Sequence, residues 1–365
     1  MTKYKVISAD SHVIEPPHVW KDYMESAYKA RAPYVVREGE FDVWKCEGVT
    51  LGPVAAYAGA GKPSDKLKSQ GTYEKDTPKG SYEPRARLDE MAVDTVEGEV
   101  LYPSVALRMF GIPDPDFQGA CFRAYNGWIA DFCKPYPNVF KGIGILTIDD
   151  IEAAAGEVRR CRSLGLSGVS ISVNPEGGRY YSDPSFDPLW SAAEECAMPI
   201  SLHILTERKH KQRMGEDFLS GQVTENVMIQ DALARMIFSG VFLKHPKLKI
   251  VSAENDTGWA GYFLERADYL HDRRQVFHKM GIPRDMPPSH FFHKHVFLTF
   301  MRDRPGIMLR SIIGVENLMW ASDYPHLDST WPNSMKMIDR IFAGVPEDER
   351  RKIVAENAAN LYHYA

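Results

Sequence analysis

The stretch "VISADSHVIEP" (Val6–Pro16) decides how the rest of the chain reads. Val6 to Ala9 have the apolar or small character of a buried strand, and Asp10 and His12 then follow two positions apart. Side chains alternate along a strand, so residues i and i+2 project the same way. A carboxylate and an imidazole thus leave together from the end of an otherwise dry element. Lone buried charges are expensive, so this pair asks for a partner.

The same short apolar run recurs along the sequence. Eight strand candidates are Lys5–Ala9, Gly98–Val105, Phe140–Ile148, Gly168–Val173, Pro199–Leu205, Leu248–Ala253, Val296–Phe300 and Leu318–Ser322. Helix-like segments lie between and after them: Phe117–Lys134, Asp149–Leu164, Asp187–Ala197, Thr224–Leu243, Trp259–Arg273, Pro305–Ile313, Ser334–Ala343 and Glu347–Tyr362. In Asp149–Leu164, for instance, Ile151, Ala155, Val158 and Leu164 fall near helical spacing. Alternating strands and helices argue for parallel βαβ units, and continuous apolar strands for a sheet covered on both faces. No G-x-G-x-x-G follows the first strand, which disfavours an open nucleotide-binding sheet. The expected fold is a single α/β domain over residues 1–365, a (β/α)8 TIM-type barrel. Residues 16–81 break the rhythm, are rich in Gly, Pro and Lys, and read as an insertion after the first strand, a cap or lid over one mouth.

Bulk properties narrow the partners. The 365 residues are 44% hydrophobic and 25% charged, an ordinary globular composition, with net charge −5. No basic block points to nucleic acid, and no apolar run is long enough to span a bilayer. The five cysteines are scattered without a C-x-x-C pair, so a disulfide framework is not expected and a cytoplasmic setting is.

Barrel active sites lie at the C-terminal ends of the strands. Those ends carry Asp10 and His12 on the first strand, His203 on the fifth, Glu254 and Asn255 on the sixth, and Asp323 followed by His326 on the eighth. The second to fourth end in Ser104, Thr147 and Asn174. Singly, each has a bland reading: His203 as a core imidazole, Asp323 as a helix cap, Glu254 as an arginine partner. Jointly they suit one divalent cation with nitrogen and oxygen ligands from Asp10, His12, His203 and Asp323, zinc first and manganese as the alternative. His290, His293 and His295 precede the seventh strand, at the opposite mouth, and read as packing or surface residues. No G-x-S-x-G elbow appears.

"ADSHVIEP", the histidine of "SLHIL", "KHPKLKIVSAENDTGW", "WASDYPH" and "ENAANLY" form an ordered set. Together they resemble the amidohydrolase superfamily, in particular the branch with aminocarboxymuconate-semialdehyde decarboxylase and the resorcylate decarboxylases. The resemblance covers most of the chain outside 16–81. It implies a barrel with one metal ion, the ligand set Asp10, His12, His203 and Asp323, and a homodimer. The resembled decarboxylases carry a histidine for proton transfer where this chain has Glu254.

That departure sets the expected order of functions. The first is hydrolysis of a small amide, ester or activated C–C bond by a water activated at the metal, with Asp323 as base and Glu254 or His326 as acid. The alternative is non-oxidative decarboxylation of a small aromatic or unsaturated acid, with Glu254 or Asp323 protonating carbon. Tyr23, Tyr28, Tyr34, Trp44, Tyr57, Trp259 and Trp331 are candidates to line a pocket for a planar substrate.

Overall fold

In a computed structural model, residues 5–67, 71–175, 177–207, 216–274 and 276–364 are described. The strands in chain order are β1 (Ile7–His12), β2 (Tyr34–Glu38), β3 (Phe41–Cys46), β4 (Val49–Pro53), β5 (Gly98–Tyr102), β6 (Phe140–Ile145), β7 (Gly168–Ile171), β8 (Ile200–His203), β9 (Ile250–Ala253), β10 (Val296–Phe300) and β11 (Leu318–Trp320). Eight of them pair in the order β1-β5-β6-β7-β8-β9-β10-β11. Every ladder in that sheet is parallel. Helices Pro115–Cys133, Ile151–Ser163, Asp187–Cys196, Asn226–Ser239 and Gly258–Arg274 cover the outer face. This is the expected (β/α)8 barrel.

Local chemistry explains the helix ends. Asp114 and Asp150 cap their helices by accepting from Phe117 and Ala153 N–H groups, and Pro115 occupies the first turn, where no donor is needed. The expected helix 224–243 is instead two pieces, Asn226–Ser239 and Val241–Lys244, separated by Gly240 at φ +84°, and a further helix, Glu216–Thr224, precedes them.

The barrel closes without a regular ladder between β1 and β11. Asp323 N–H donates to Asp10 O at 3.0 Å, His12 N–H to Tyr324 O at 2.7 Å, and Ser322 N–H to Ser8 Oγ at 2.8 Å. The fully buried Arg87 reinforces this seam. Its guanidinium pairs with Glu99 on β5 at 2.7 Å and donates to His12 O at 2.9 Å and Tyr324 O at 3.3 Å.

Most strands differ from the sequence reading by a few residues at an end, and two of these differences bear on the site. β1 continues to His12 rather than stopping at Ala9, with a register shift between Ser8 and Ser11. β5 stops at Tyr102, before Pro103, which has no ladder donor. Val105–Arg108 then forms a helical turn, and the Glu15 carboxylate accepts from Val105 and Ala106 N–H groups at 2.9 Å each. The 16–81 insertion is not structureless: β2, β3 and β4 form an antiparallel sheet whose hairpins turn at Gly39 (φ +63°) and Gly48 (φ +79°). Among the described residues, no helix is long and apolar enough to cross a membrane.

Candidate metal centre

The ends of β1, β8, β9 and β11 bring Asp10, His12, His203, Glu254 and Asp323 to one point. His12 Nε2 lies 3.5 Å from Asp10 Oδ1, 3.3 Å from Asp323 Oδ1 and 3.7 Å from Glu254 Oε2. His203 Nε2 lies 3.8 Å from Asp10 Oδ1 and 3.4 Å from Glu254 Oε2. His326, three residues after Asp323, sets its Nδ1 3.0 Å from Asp323 Oδ1 and its ring 4.0 Å from that of His12.

The second nitrogen of each strand imidazole fixes what the first presents. His12 Nδ1 donates to Pro103 O and His203 Nδ1 to Ile204 O, both at 2.8 Å, because a carbonyl can only accept. A neutral ring then turns a bare Nε2 lone pair inward, the arrangement metal-binding histidines use. Asp10 Oδ2 accepts from Thr299 Oγ1 at 2.9 Å, which in turn accepts from Glu254 N–H at 2.8 Å. Asp10 Oδ1, His12 Nε2, His203 Nε2 and Asp323 Oδ1 are buried and have no hydrogen-bond partner among the described residues. Four acceptor atoms facing one another are reconciled by a cation or by added protons. The residues fit a metal ion, and two overlapping sets could hold one: Asp10, His12 and His203, or His12, Glu254, Asp323 and His326.

Ionisation reflects the same crowding. Burial pushes Asp323 up to about 7, reinforced by Asp10's charge. Burial also pushes His12 down to about 4 and His326 to about 3, helped by neighbouring imidazoles. Glu254 is raised well above the carboxylate range by burial and by the charges of Asp323 and Asp10. Burial would raise Asp10 too, but the flanking His12 and His203 outweigh it and hold Asp10 low. The backbone is also strained here: Glu254 and Asp323 both sit at positive φ, +57° and +54°, where a side chain is disfavoured.

All six sequence-selected residues therefore meet. Among the aromatic candidates, only Tyr57 is on the described wall of the adjoining cavity. Trp44 is in the core, Tyr23 and Tyr34 are exposed, and the Trp259 and Trp331 indoles donate to Asn255 O and Glu90 O. His293 Nε2 donates to Ile312 O and His295 Nδ1 to Leu248 O, away from the centre, as packing residues do. The sequence reading passed over Thr299 and Glu15, polar residues inside or just after an apolar run, and Arg87, which sits in the charged stretch Pro84–Glu90.

The amidohydrolase family pattern matches residues 76–364. The γ-resorcylate decarboxylase of Rhodococcus jostii is 27% identical over 298 residues, covering 75% of this chain and 85% of the relative. The 2-amino-3-carboxymuconate-6-semialdehyde decarboxylase of Dictyostelium discoideum is 26% identical over 263 residues, 71% of each. Among solved structures, 5-carboxyvanillate decarboxylase of Novosphingobium aromaticivorans, complexed with manganese and 4-hydroxy-3-methoxy-5-nitrobenzoic acid, superposes with a TM-score of 0.70 at 21% identity, over 99% of this chain and 96% of that one. These relatives overturn hydrolysis as the leading function, because they are decarboxylases. Glu254 misled the sequence reading. A carboxyl group kept protonated by burial can donate a proton as an imidazolium does, so a Glu in place of His is no sign of hydrolysis.

Proposed function

The chain belongs to the amidohydrolase family and is an enzyme of that superfamily, and on that premise we propose that it is a divalent-metal-dependent, non-oxidative decarboxylase of an aromatic carboxylic acid. The observation that carries the reading is the set of four buried, unpartnered acceptor atoms on Asp10, His12, His203 and Asp323. These four residues are proposed to hold one divalent ion; the manganese of a structural neighbour supports manganese beside zinc.

The ion, when bound, supplies a Lewis-acidic seat for the substrate's carboxylate and a neighbouring oxygen. The chain's own residues do the rest. Glu254, protonated through its raised pKa and with a side chain 21% exposed, faces the cavity. It delivers its proton to the ring carbon as the bond to the carboxyl carbon breaks; carbon dioxide leaves, and Glu254 recovers a proton from solvent. Ser104 Oγ donates to Val13 O at 2.6 Å, so it accepts from His326 Nε2 at 2.8 Å. That bond leaves His326 Nδ1 as an acceptor 3.0 Å from Asp323 Oδ1, two lone pairs that a shared cation or a proton on Asp323 reconciles. Residues 49–62 of the insertion wall the cavity and act as its cap.

The test is carbon dioxide release from a panel of hydroxybenzoates by manganese- or zinc-loaded protein, beside a panel of aryl amides. Release without amide cleavage is expected. Glu254→Gln should keep the ion and lose roughly 10²–10⁴-fold in turnover, the usual worth of a positioned acid. Amide cleavage without carbon dioxide would end the proposal.

A further inference from the structure

The cavity that opens from Glu254, Asp323 and His326 has a volume of about 1180 Å³. Ligand pockets commonly span about 300–1,000 Å³, so a single-ring acid seated at the metal centre leaves most of this wall bare. The wall is largely apolar, with Val49, Leu51 and Pro53 from β4 and Leu107 and Leu327 from the barrel loops. An apolar surface of this extent gains from an apolar ligand that covers it.

Two cations, Lys62 and Arg108, interrupt that wall. Lys62 donates to Ala58 O at 2.6 Å and is thereby tied to its own loop. Arg108 is different. It ends the turn Val105–Arg108 that follows Ser104, and its side chain is half-buried. Among the described residues no ion pair joins a carboxylate to its guanidinium, whose hydrogen-bonding neighbour in the wall is the Tyr57 hydroxyl. Its charge is felt by two groups of the site. Burial raises the Tyr57 phenol while Arg108 pulls it down, and the low pKa of His326, due first to burial and His203, is lowered further by Arg108. A guanidinium without an acid, beside a metal centre that already has its own carboxylates, is a fork waiting for an anion.

We infer that the substrate is a dicarboxylate with a body larger than one ring, and that Arg108 selects it by pairing with the carboxylate that is not lost. The inference rests on the decarboxylase reading only for the fate of the first carboxylate. The first carboxylate goes to the metal centre, the apolar body covers Leu51 and Leu107, and the second carboxylate takes the two parallel N–H donors of Arg108.

Four probes separate size from charge when their binding to manganese-loaded protein is measured by calorimetry: salicylate, 4-hydroxyisophthalate, 1-hydroxy-2-naphthoate and a hydroxynaphthalenedicarboxylate. The two-ring dicarboxylate should bind tightest, about tenfold or more over salicylate. Arg108→Met should weaken both dicarboxylates by about tenfold or more, the scale of a charge-assisted bond, and leave both monocarboxylates within about twofold, with Arg108→Gln behaving alike. Equal losses for all four probes, or no loss for the dicarboxylates, would remove Arg108 from recognition. Salicylate binding as tightly as the naphthoates would remove the size argument. Carbon dioxide measured in the same mixtures reports separately on the reaction: its absence with the Arg108 effect intact would sink decarboxylation and leave the anion subsite standing.

Discussion

At the scale of single residues, the centre is built from atoms that the protein itself leaves unsatisfied. His203 is the plainest case, since Nδ1 is committed to Ile204 O and Nε2 has only the centre to face. His203→Ala is expected to lower bound metal from about one ion per chain to a small fraction, as measured by elemental analysis after dialysis; substitutions that only orient ligands cost about 10–100-fold in affinity, and this one should cost more. Equal metal in both proteins would take His203 out of the site. The strand-end residues were legible because type and position coincided: Asp10, His12, His203 and Asp323 are polar groups at the ends of apolar runs. Thr299 was not legible, because a threonine in "VFLTF" looks like an ordinary β-branched strand residue until its hydroxyl is seen between Asp10 Oδ2 and Glu254 N–H. Arg108 was invisible for a similar reason, since a lone arginine after an apolar run carries no sign of having no acid partner.

At the scale of elements, two buried groups outside the centre hold the pieces that carry it. Arg87 pins the carbonyls of His12 and Tyr324 while pairing with Glu99. Arg87→Met is expected to cost about 3–5 kcal/mol in denaturant unfolding, because Glu99 is left buried and unpaired. The double variant Arg87→Met/Glu99→Leu should recover most of that stability but still bind metal more weakly, since the seam carbonyls lose their clamp. Full recovery of metal affinity would show Arg87 to be structural only. Glu15 anchors the turn at Val105, and burial, against the pull of the Ala106 and Val105 amides, raises it to about 7 from 4.5. Between those values the folded chain keeps a proton that the unfolded chain releases, so this group's stabilising contribution is full below pH 4.5 and is lost as pH rises through 7. The loss is at most about 3 kcal/mol, and Glu15→Gln should flatten that slope in the pH dependence of unfolding. An unchanged slope would mean that Glu15 is ionised throughout. Elements of the barrel were readable because apolar runs and helical periodicity repeat along the chain. The β2–β4 sheet was not, since its burial is mixed (β2 is partly exposed) and its Gly- and Lys-rich flanks resemble loop sequence.

At the scale of the whole molecule, the centre joins the first strand of the barrel to the last across a seam with no ladder. Carboxylates of Asp10, Glu254 and Asp323 crowd there, so an ion should stabilise the fold as well as serve the reaction. Manganese at about 1,000 times its dissociation constant is expected to add about 4 kcal/mol to unfolding, reversed by a chelator. Wild-type protein whose unfolding midpoint is indifferent to manganese and zinc would contradict a shared ion at the seam. The global topology was legible from the eightfold alternation, but how the barrel closes was not, because pairing between residues near positions 10 and 323 leaves no local signature. That separation has a consequence for biogenesis. A nascent chain whose last strand is still inside the ribosomal tunnel can offer Asp10, His12 and His203 but no Asp323. Such a polypeptide lacks its full coordination set until Asp323 has emerged and closed against Asp10, so complete loading follows the last strand and draws on whatever ions the surrounding fluid supplies.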